Sequence, residues 1–154
     1  MKAVVLCTLL SLLLALSCRK KTECPPVNIV KTELTGSWHD SRSKENAFAG
    51  TRYDFTFQPD SFTLVLRQWS DEIDTTCPRS DYREYVKGAY EFTRSNNVLS
   101  IDGVYTDSLF REKTSGCYSI GQYKRDFKVV KKCSTLELDE IGNLSQSMVI
   151  RLSK

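Results

Sequence analysis

The chain has 154 residues, with 22 lysines and arginines against 19 aspartates and glutamates, a formal charge of +3 and a single histidine. This length suits one domain with short flanking segments. Basic and acidic residues are interspersed, as in Lys44-Glu45, which is typical of a solvated surface and not of a stripe that follows a phosphate backbone. We therefore expect one monomeric domain with no nucleic-acid partner.

The first 17 residues have the character of an export signal. Lys2 precedes an apolar run over residues 3–17, which is about as long as a signal-peptide core and too short to span a bilayer comfortably. The sequence LALSC at residues 14–18 resembles the lipobox of bacterial lipoproteins. That resemblance implies that Cys18 becomes the first mature residue and carries a diacylglycerol and an N-acyl chain such as palmitate. The alternative is a secreted protein cut near Ser17.

Residues 18–33 are then expected to form a lipidated tether. Arg19, Lys20 and Lys21 follow the anchor, and each positive charge near anionic headgroups adds about 1 kcal/mol of membrane attraction. Outer-surface lipoproteins of the Bacteroidetes type tend to be acidic at this point. The basic tether therefore favours a periplasm-facing position in the cell envelope.

Residues 34–154 are composed of short alternating segments, which predict an all-β domain. Tyr53, Phe55 and Phe57 alternate strictly with polar residues, and the turn at Pro59-Asp60 predicts a hairpin to the next strand. A bend or bulge is expected at Gly88. The weakest strand is the one at 108–113. The predicted strands cover residues 34–39, 52–57, 61–69, 85–92, 98–105, 108–113, 122–130, 135–138 and 147–152.

Eight or nine short strands with tight connections favour an antiparallel up-and-down meander, as a closed barrel or a sandwich. Gly36-Ser37-Trp38 resembles the Gly-x-Trp motif that opens lipocalin-like and other calycin barrels. The resemblance implies a barrel with Trp38 plugging one end and Arg151, near the last strand, lying across its indole. Such a cation–π contact is worth about 0.5 to 2 kcal/mol.

Besides Cys7 and Cys18, four cysteines remain, which predicts two disulfides in an oxidising compartment. No pair has zinc-knuckle spacing and His39 is distant in sequence, so we expect no metal and no cofactor. Counting nine strands from Gly36 places Cys77 and Cys133 at one end of the barrel and Cys24 and Cys117 at the other. That count predicts the pairs Cys77–Cys133 and Cys24–Cys117.

Two alternative functions are possible, depending on whether the interior of the barrel is empty or filled by side chains. The inward aromatic residues could line a pocket for a small apolar ligand or could fill the core and leave no pocket. In the second case the loops at 70–82 and 114–121, stiffened by disulfides, would recognise an envelope protein, as an inhibitor would. The candidate ligand-binding residues are Tyr53, Phe55, Phe57, Tyr90 and Phe127.

A catalytic function is not expected, because the chain has no serine elbow, no His-Glu-x-x-His helix and no glycine-rich phosphate loop. The acidic residues Asp71, Glu72 and Asp74 are more typical of a solvated loop than of a cation site. The sequence thus predicts a non-catalytic binding module anchored to the membrane by lipid.

Overall fold

A computed structural model gives the fold of this chain. No helix among its described residues is long and apolar enough to cross a membrane. The signal segment, Cys18, Cys77, Cys117 and the acidic residues at 71–74 lie outside the described residues. The structure describes residues 24–25, 27, 29–41, 49–70, 82–115, 119–142 and 148–154.

Eight antiparallel strands form one closed barrel in which each strand pairs with the next and β8 pairs with β1. The predicted all-β meander is confirmed, and the barrel is the correct alternative to the sandwich. One helical turn, α1 (Lys31–Leu34), precedes the barrel. The strands are β1 (Gly36–Asp40), β2 (Ala49–Phe57), β3 (Ser61–Ser70), β4 (Tyr82–Thr93), β5 (Val98–Thr106), β6 (Gln122–Lys132), β7 (Thr135–Glu140) and β8 (Val149–Ser153).

The two ends of the barrel differ in their connections. At the end where α1 leads into β1, the hairpins β2–β3, β4–β5 and β6–β7 turn within a few residues. We call this the capped end. The longer connections β1–β2, β3–β4, β5–β6 and β7–β8 all lie at the opposite end, which we call the mouth.

The core follows from the alternation of each strand, since every second side chain points inward. On β2 the buried residues are Tyr53, Phe55 and Phe57, and their rings form a stack with 6.5 and 5.3 Å between successive centroids. Leu64 of β3 and Val86 of β4 are also fully buried. The predicted alternation of Tyr53, Phe55 and Phe57 is therefore confirmed.

A glycine pair shapes the wall of the barrel. Gly88 of β4 lies directly opposite Gly103 of β5, and the register continues through this point without the predicted bulge. A Cβ on Gly88 would lie 2.1 Å from the backbone oxygen of Asp102, and one on Gly103 would lie 3.0 Å from Cζ of Phe62. The missing side chains therefore allow the two strands to approach closely while the Phe62 ring occupies the interior beside them.

The capped end is closed by the chain that precedes β1. Ile29 and Leu34 are buried there, and the indole Nε1 of Trp38 donates a 2.6 Å hydrogen bond to the carbonyl oxygen of Leu34. Glu33 forms an ion pair with Lys131 of β6. These contacts agree with a plugging role for Trp38, because its ring and the segment above it cover the end of the core.

The cation over the Trp38 indole is Lys154, whose ammonium nitrogen lies 4.8 Å from the ring centroid. Arg151 points away from the core, and its Nε donates to Glu137 Oε1 at 3.1 Å across β7 and β8. The predicted partner of Arg151 is therefore wrong. The error arises because Arg151 alternates with the buried Ile150 and Leu152, so its side chain faces solvent beside Glu137.

The strand predicted at 108–113 is wrong. This segment forms a turn after β5, in which Asp107 accepts hydrogen bonds from the backbone nitrogens of Leu109 and Arg111 at 2.8 and 2.9 Å. Only the isolated bridge between Thr106 and Glu112 has β pairing. An aspartate that binds its own following backbone favours a turn over a strand, which explains the difference.

Because the segment 108–113 is not a strand, the chain reaches Cys133 at the capped end of the barrel, which is also the end where Cys24 lies. Cys24 is bonded to Cys133 in the β6–β7 turn, with a Cα–Cα distance of 5.7 Å. This bond contradicts both predicted pairs, because each of them used one of these cysteines with a different partner. It ties the segment before α1 to the capped end.

Candidate functional site

Three of the five predicted ligand-binding residues belong to the packed core. Phe55, Phe57 and Phe127 are each no more than 1% exposed, and Phe57 packs edge-on against Tyr90 with 5.0 Å between centroids. Interlocking rings of this kind fill the part of the interior nearer the capped end, where the inward aromatic residues contact one another. The structure therefore favours the filled core over an apolar pocket.

Tyr90 lies at the capped end. Its hydroxyl donates to the carbonyl oxygen of Gln58 at 2.8 Å, and Lys31 lies 5.1 Å from its ring centroid. Burial raises the pKa of the Tyr90 phenol above its usual range. These contacts make Tyr90 part of the closure of that end.

Tyr53 has a different position, because it faces a cleft at the mouth. Its hydroxyl donates to the sulfur of Met148 at 3.0 Å, which joins β2 to the residue just before β8. The cleft has a volume of about 280 Å³. Its lining includes Tyr53, Gln68, Glu84, Tyr105, Tyr123, Arg125 and Glu140.

Unequal strand lengths create this cleft. β7 ends at Glu140, opposite Phe127, so residues 122–126 of β6 continue past it towards the mouth. On the other side, β1 pairs only with the part of β2 from Asp54 to Phe57. Strands β2 to β6 therefore extend further towards the mouth than β7, β8 and β1. The inward residues at their mouth ends face the space above the shorter strands.

Glu84 is the most deeply buried charged group of the cleft, at 6% exposure. Its Oε2 accepts a hydrogen bond from Gln68 Nε2, and its Oε1 accepts one from the backbone nitrogen of Ser119, each at 2.7 Å. The Tyr82 hydroxyl in turn donates to Gln68 Oε1 at 2.6 Å. This chain of bonds holds the carboxylate in one orientation and joins β3, β4 and the β5–β6 loop.

A second polar pair lies across the β6–β7 side of the cleft. Arg125 Nε is 2.9 Å from Glu140 Oε1, and the guanidinium carbon lies 5.2 Å from the centroid of the Tyr123 ring. Tyr105 meets Tyr123 edge-on, with 5.6 Å between centroids. Burial raises the pKa of the Tyr123 phenol far above its usual range, so this ring is neutral at any physiological pH.

Exposed apolar side chains surround the mouth. Leu109 and Ile120 belong to the β5–β6 loop and Ile141 to the β7–β8 loop, and they are 69%, 52% and 49% exposed. Phe110, with a positive φ, meets Tyr85 edge-on at 5.7 Å on the outer face of β4, and Leu109 beside it stays exposed. Exposed apolar residues beside a polar cleft are common in recognition surfaces.

Two larger depressions lie on the outer wall of the barrel. One, of about 550 Å³, includes Asp102 and Lys124, and the other, of about 460 Å³, lies over Gly88 and Gly103. Asp102 and Lys124 form a 2.9 Å ion pair in which both side chains are more than half exposed. Charges that already neutralise each other in solvent offer little to a ligand. None of the charged residues that line either depression is buried, whereas the cleft contains the buried Glu84, so the mouth is the better candidate despite its smaller volume.

His39, the lone histidine, lies on the outer face of β1, where its Nδ1 is 3.0 Å from Asp54 Oδ1. Its side chain is 61% exposed and outside the cleft. Over the described ranges, no group of three or more histidine, cysteine, aspartate or glutamate side chains is arranged to hold a metal ion.

Sequence reasoning did not select Glu84, Arg125 or Glu140. A signal was present, since Glu84 shares the inward phase of β4 with Val86 and Tyr90. Likewise, Arg125 occupies the inward phase of β6 between Tyr123 and Phe127. A charged residue at a core-facing position points to a special local environment, here the mouth.

Comparison with known proteins found no relative of this chain. No protein-family model matches the sequence, and neither the curated proteins nor the solved structures yielded a match.

Proposed function

We propose that this protein is a lipid-anchored protein of the bacterial envelope whose barrel is a non-catalytic binding module, with recognition at the mouth. The observation that carries the proposal is the change along the inner face. Rings fill the interior at the capped end, whereas a cleft with the buried carboxylate of Glu84 opens among the long connections. Loops held by a rigid scaffold are the usual place for binding residues.

The proposed anchor would orient this surface. Cys24 is fixed to the capped end by its bond to Cys133, and it lies six positions after Cys18, with five residues between them. Six residues span at most about 20 Å. Acyl chains on Cys18 would therefore keep the capped end close to the membrane and turn the mouth away from it, towards partners in the periplasm.

The lipocalin-like and calycin resemblance supports the binding role only through shared architecture. An eight-stranded barrel has an interior that is just filled by side chains or holds one small ligand. In this barrel the filled interior supports the module that recognises its partner at the mouth, and it argues against a carrier of an apolar ligand. His39 is exposed on the outer face of β1 and does not line the cleft, so it does not supply the cleft with an imidazole base.

The anchor is tested by membrane fractionation and intact mass spectrometry of the wild type and of Cys18→Ser. We expect the wild type in the membrane fraction with the mass of a cleaved, acylated chain, and the variant with an unmodified mass. A cleaved wild type without acyl groups would support the ordinary secreted protein instead. Cys24→Ser is the matched control, because it removes a cysteine without touching the proposed lipobox.

Recognition at the mouth is tested with photo-crosslinking residues introduced one at a time in living cells. Positions Leu109 and Ile120 report on the mouth, and Asp60 in the β2–β3 turn reports on the capped end. We expect both mouth positions to give the same added mass, whether from a protein or a small molecule, and Asp60 to give none of it. The same product from Asp60, or none from either mouth position, would overturn the assignment.

A further inference from the structure

We propose that the cleft at the mouth binds an organic cation, an alkylammonium or guanidinium group, which inserts beside Glu84 and the surrounding tyrosine rings. The inference deepens the proposed function and rests on it, since it assigns a ligand chemistry to the same surface. That chemistry could come from the lysine or arginine side chain of a partner protein or from a free amine.

The Glu84 carboxylate is buried and held by neutral donors. Its two 2.7 Å hydrogen bonds come from the amide of Gln68 and the backbone of Ser119, and both donors are neutral. A buried carboxylate is costly unless a positive charge compensates it. Neutral donors orient Glu84 without supplying that charge, so a cation entering the cleft gains an ion pair with a group that is already fixed.

Three tyrosine rings give the cleft an aromatic lining. Tyr53, Tyr105 and Tyr123 all contribute to the cleft. The face of a tyrosine ring attracts a cation, and the attraction is stronger when the contact is desolvated. The protein itself shows this preference, because the guanidinium of Arg125 lies over the Tyr123 ring.

Arg125 does not neutralise the whole site. Its guanidinium is 2.9 Å from Glu140, so one carboxylate of the lining has a positive partner from within the described chain. Among the lining residues, Glu84 and Glu140 together carry two negative charges against the one positive charge of Arg125. The remaining negative charge favours a cationic ligand over an anionic one.

The size of the cleft agrees with a single charged group. Its volume of about 280 Å³ is below the range of about 300 to 1,000 Å³ that is typical of sites for drug-sized ligands. A lysine or arginine side chain, or a short alkylamine, is the kind of group that such a space can enclose.

The experiment is a titration of the processed, full mature protein in detergent micelles, followed by NMR of the tyrosine ring and Ser119 signals. The probes are n-butylammonium, the neutral n-butanol and the anionic butanoate, which share a similar shape and differ in charge. We expect n-butylammonium to bind at least about tenfold more tightly than either analogue, since a charge-assisted contact adds about 1.5 to 3 kcal/mol.

Glu84→Gln keeps the shape of the side chain and removes its charge, and we expect it to weaken n-butylammonium binding about tenfold or more. Asp102→Asn is the matched control, because Asp102 is an exposed carboxylate on the outer wall. Its binding constant should equal that of the wild type. If Glu84→Gln does not fold, the comparison of the three probes on the wild type decides the question alone.

Two further arms separate the sources of the cation. Tighter binding of a short peptide with one central lysine than of n-butylammonium would assign the site to a partner's side chain, and the reverse order would assign it to a free amine. Equal binding of butanol, preferred binding of butanoate, or full binding by Glu84→Gln would overturn the proposal. If crosslinking at the mouth persists in Glu84→Gln cells, recognition at the mouth stands and only the cation assignment fails.

Discussion

The capped end and the mouth of this barrel are built from the same strands and have opposite chemistry. Along the inner face of β2, Phe57 and Phe55 are packed rings, whereas Tyr53 faces the cleft. Along β4, Tyr90 belongs to the closure of the capped end, whereas Glu84 lies in the cleft. Alternation determines which side chains point inward, and the height along the barrel determines whether an inward side chain meets other rings or a ligand.

Closure differs as much as chemistry. The capped end has α1, the Trp38 ring, the Glu33–Lys131 ion pair and the Cys24–Cys133 bond, which all converge on one small area. At the mouth, β1, β7 and β8 are short, so the wall is low on that side. A fold that concentrates its stabilising contacts at one end can keep a polar cleft at the other.

The largest expected effect is at the ring stack. Phe57→Ala removes a fully buried ring that touches Phe55, Phe62 and Tyr90, and we expect the free energy of unfolding to fall by about 3 to 5 kcal/mol. Tyr53→Phe at the mouth keeps the ring and removes the hydroxyl that donates to Met148, and it should cost less than about 1 kcal/mol. Urea denaturation measures both. Equal losses would contradict the division of the interior into a packed half and a binding half.

The disulfide at the capped end should come next. The double variant Cys24→Ser with Cys133→Ser opens a link across 109 residues of sequence, and we expect a loss of about 2 to 4 kcal/mol. Hydrogen exchange should then accelerate at Ile29 and Leu34, which the link holds over the core, and stay unchanged at Ser119. Faster exchange at Ser119 instead would show that this bond serves the mouth.

A second disulfide is predicted between Cys77 and Cys117. Both lie outside the described residues, but the β3–β4 and β5–β6 connections that contain them leave the barrel at the mouth. Ser119, two residues after Cys117, bonds to Glu84 near the start of β4. A peptide map under non-reducing conditions should show this pair beside Cys24–Cys133. Because its loop is shorter, removing it should cost roughly 1 kcal/mol less than removing the capped-end bond.

A map that shows free thiols at Cys77 and Cys117 would remove this prediction while leaving the first bond intact. Two reduction steps of different stability are expected when the oxidised protein is titrated with a reductant, one for each end of the barrel. A single step that releases all four thiols together would mean that the two ends are not independent.

The smallest effect concerns pH. Hydrogen bonds from Lys132 and then Arg151 hold the pKa of Glu137 below its usual range. A carboxylate whose folded-state pKa is lowered stabilises the fold above its unfolded pKa, and this contribution disappears as the pH falls through the folded value. Wild type should therefore lose stability below about pH 4.3 relative to Glu137→Gln, by less than about 1 kcal/mol because the pair is partly exposed.

Much of the fold was predictable because local alternation is strong. The inward phase of Tyr53, Phe55 and Phe57 and the hairpin that follows them could be derived from residues close in sequence. The error at 108–113 had a local cause, since a side-chain bond from Asp107 to its following backbone competes with strand pairing. That one extra strand led to the wrong disulfide pairs. The end of the barrel at which a loop lies depends on how many strands precede it, so one miscounted strand moves every later loop to the opposite end.

The candidate site was less predictable. Tyr53 was selected for its ring, but Glu84 and Arg125 were overlooked although both occupy inward positions. Nothing local distinguishes an inward glutamate in a cleft from an inward glutamate that cannot be tolerated in a core. That distinction depends on how far β6 and β2 extend past their neighbours, which is a property of the register.

The sequence by itself determined the all-β class, the meander and the inward aromatic residues, because a period of two over short segments is a local property of the backbone. Only the tertiary structure decided that aromatic rings fill the interior nearer the capped end. It also decided that Lys154 and not Arg151 covers Trp38, and that Cys24 bonds to Cys133. Those outcomes depend on which distant residues meet when the barrel closes. The cleft has the same origin, since it exists only where long and short strands stand side by side.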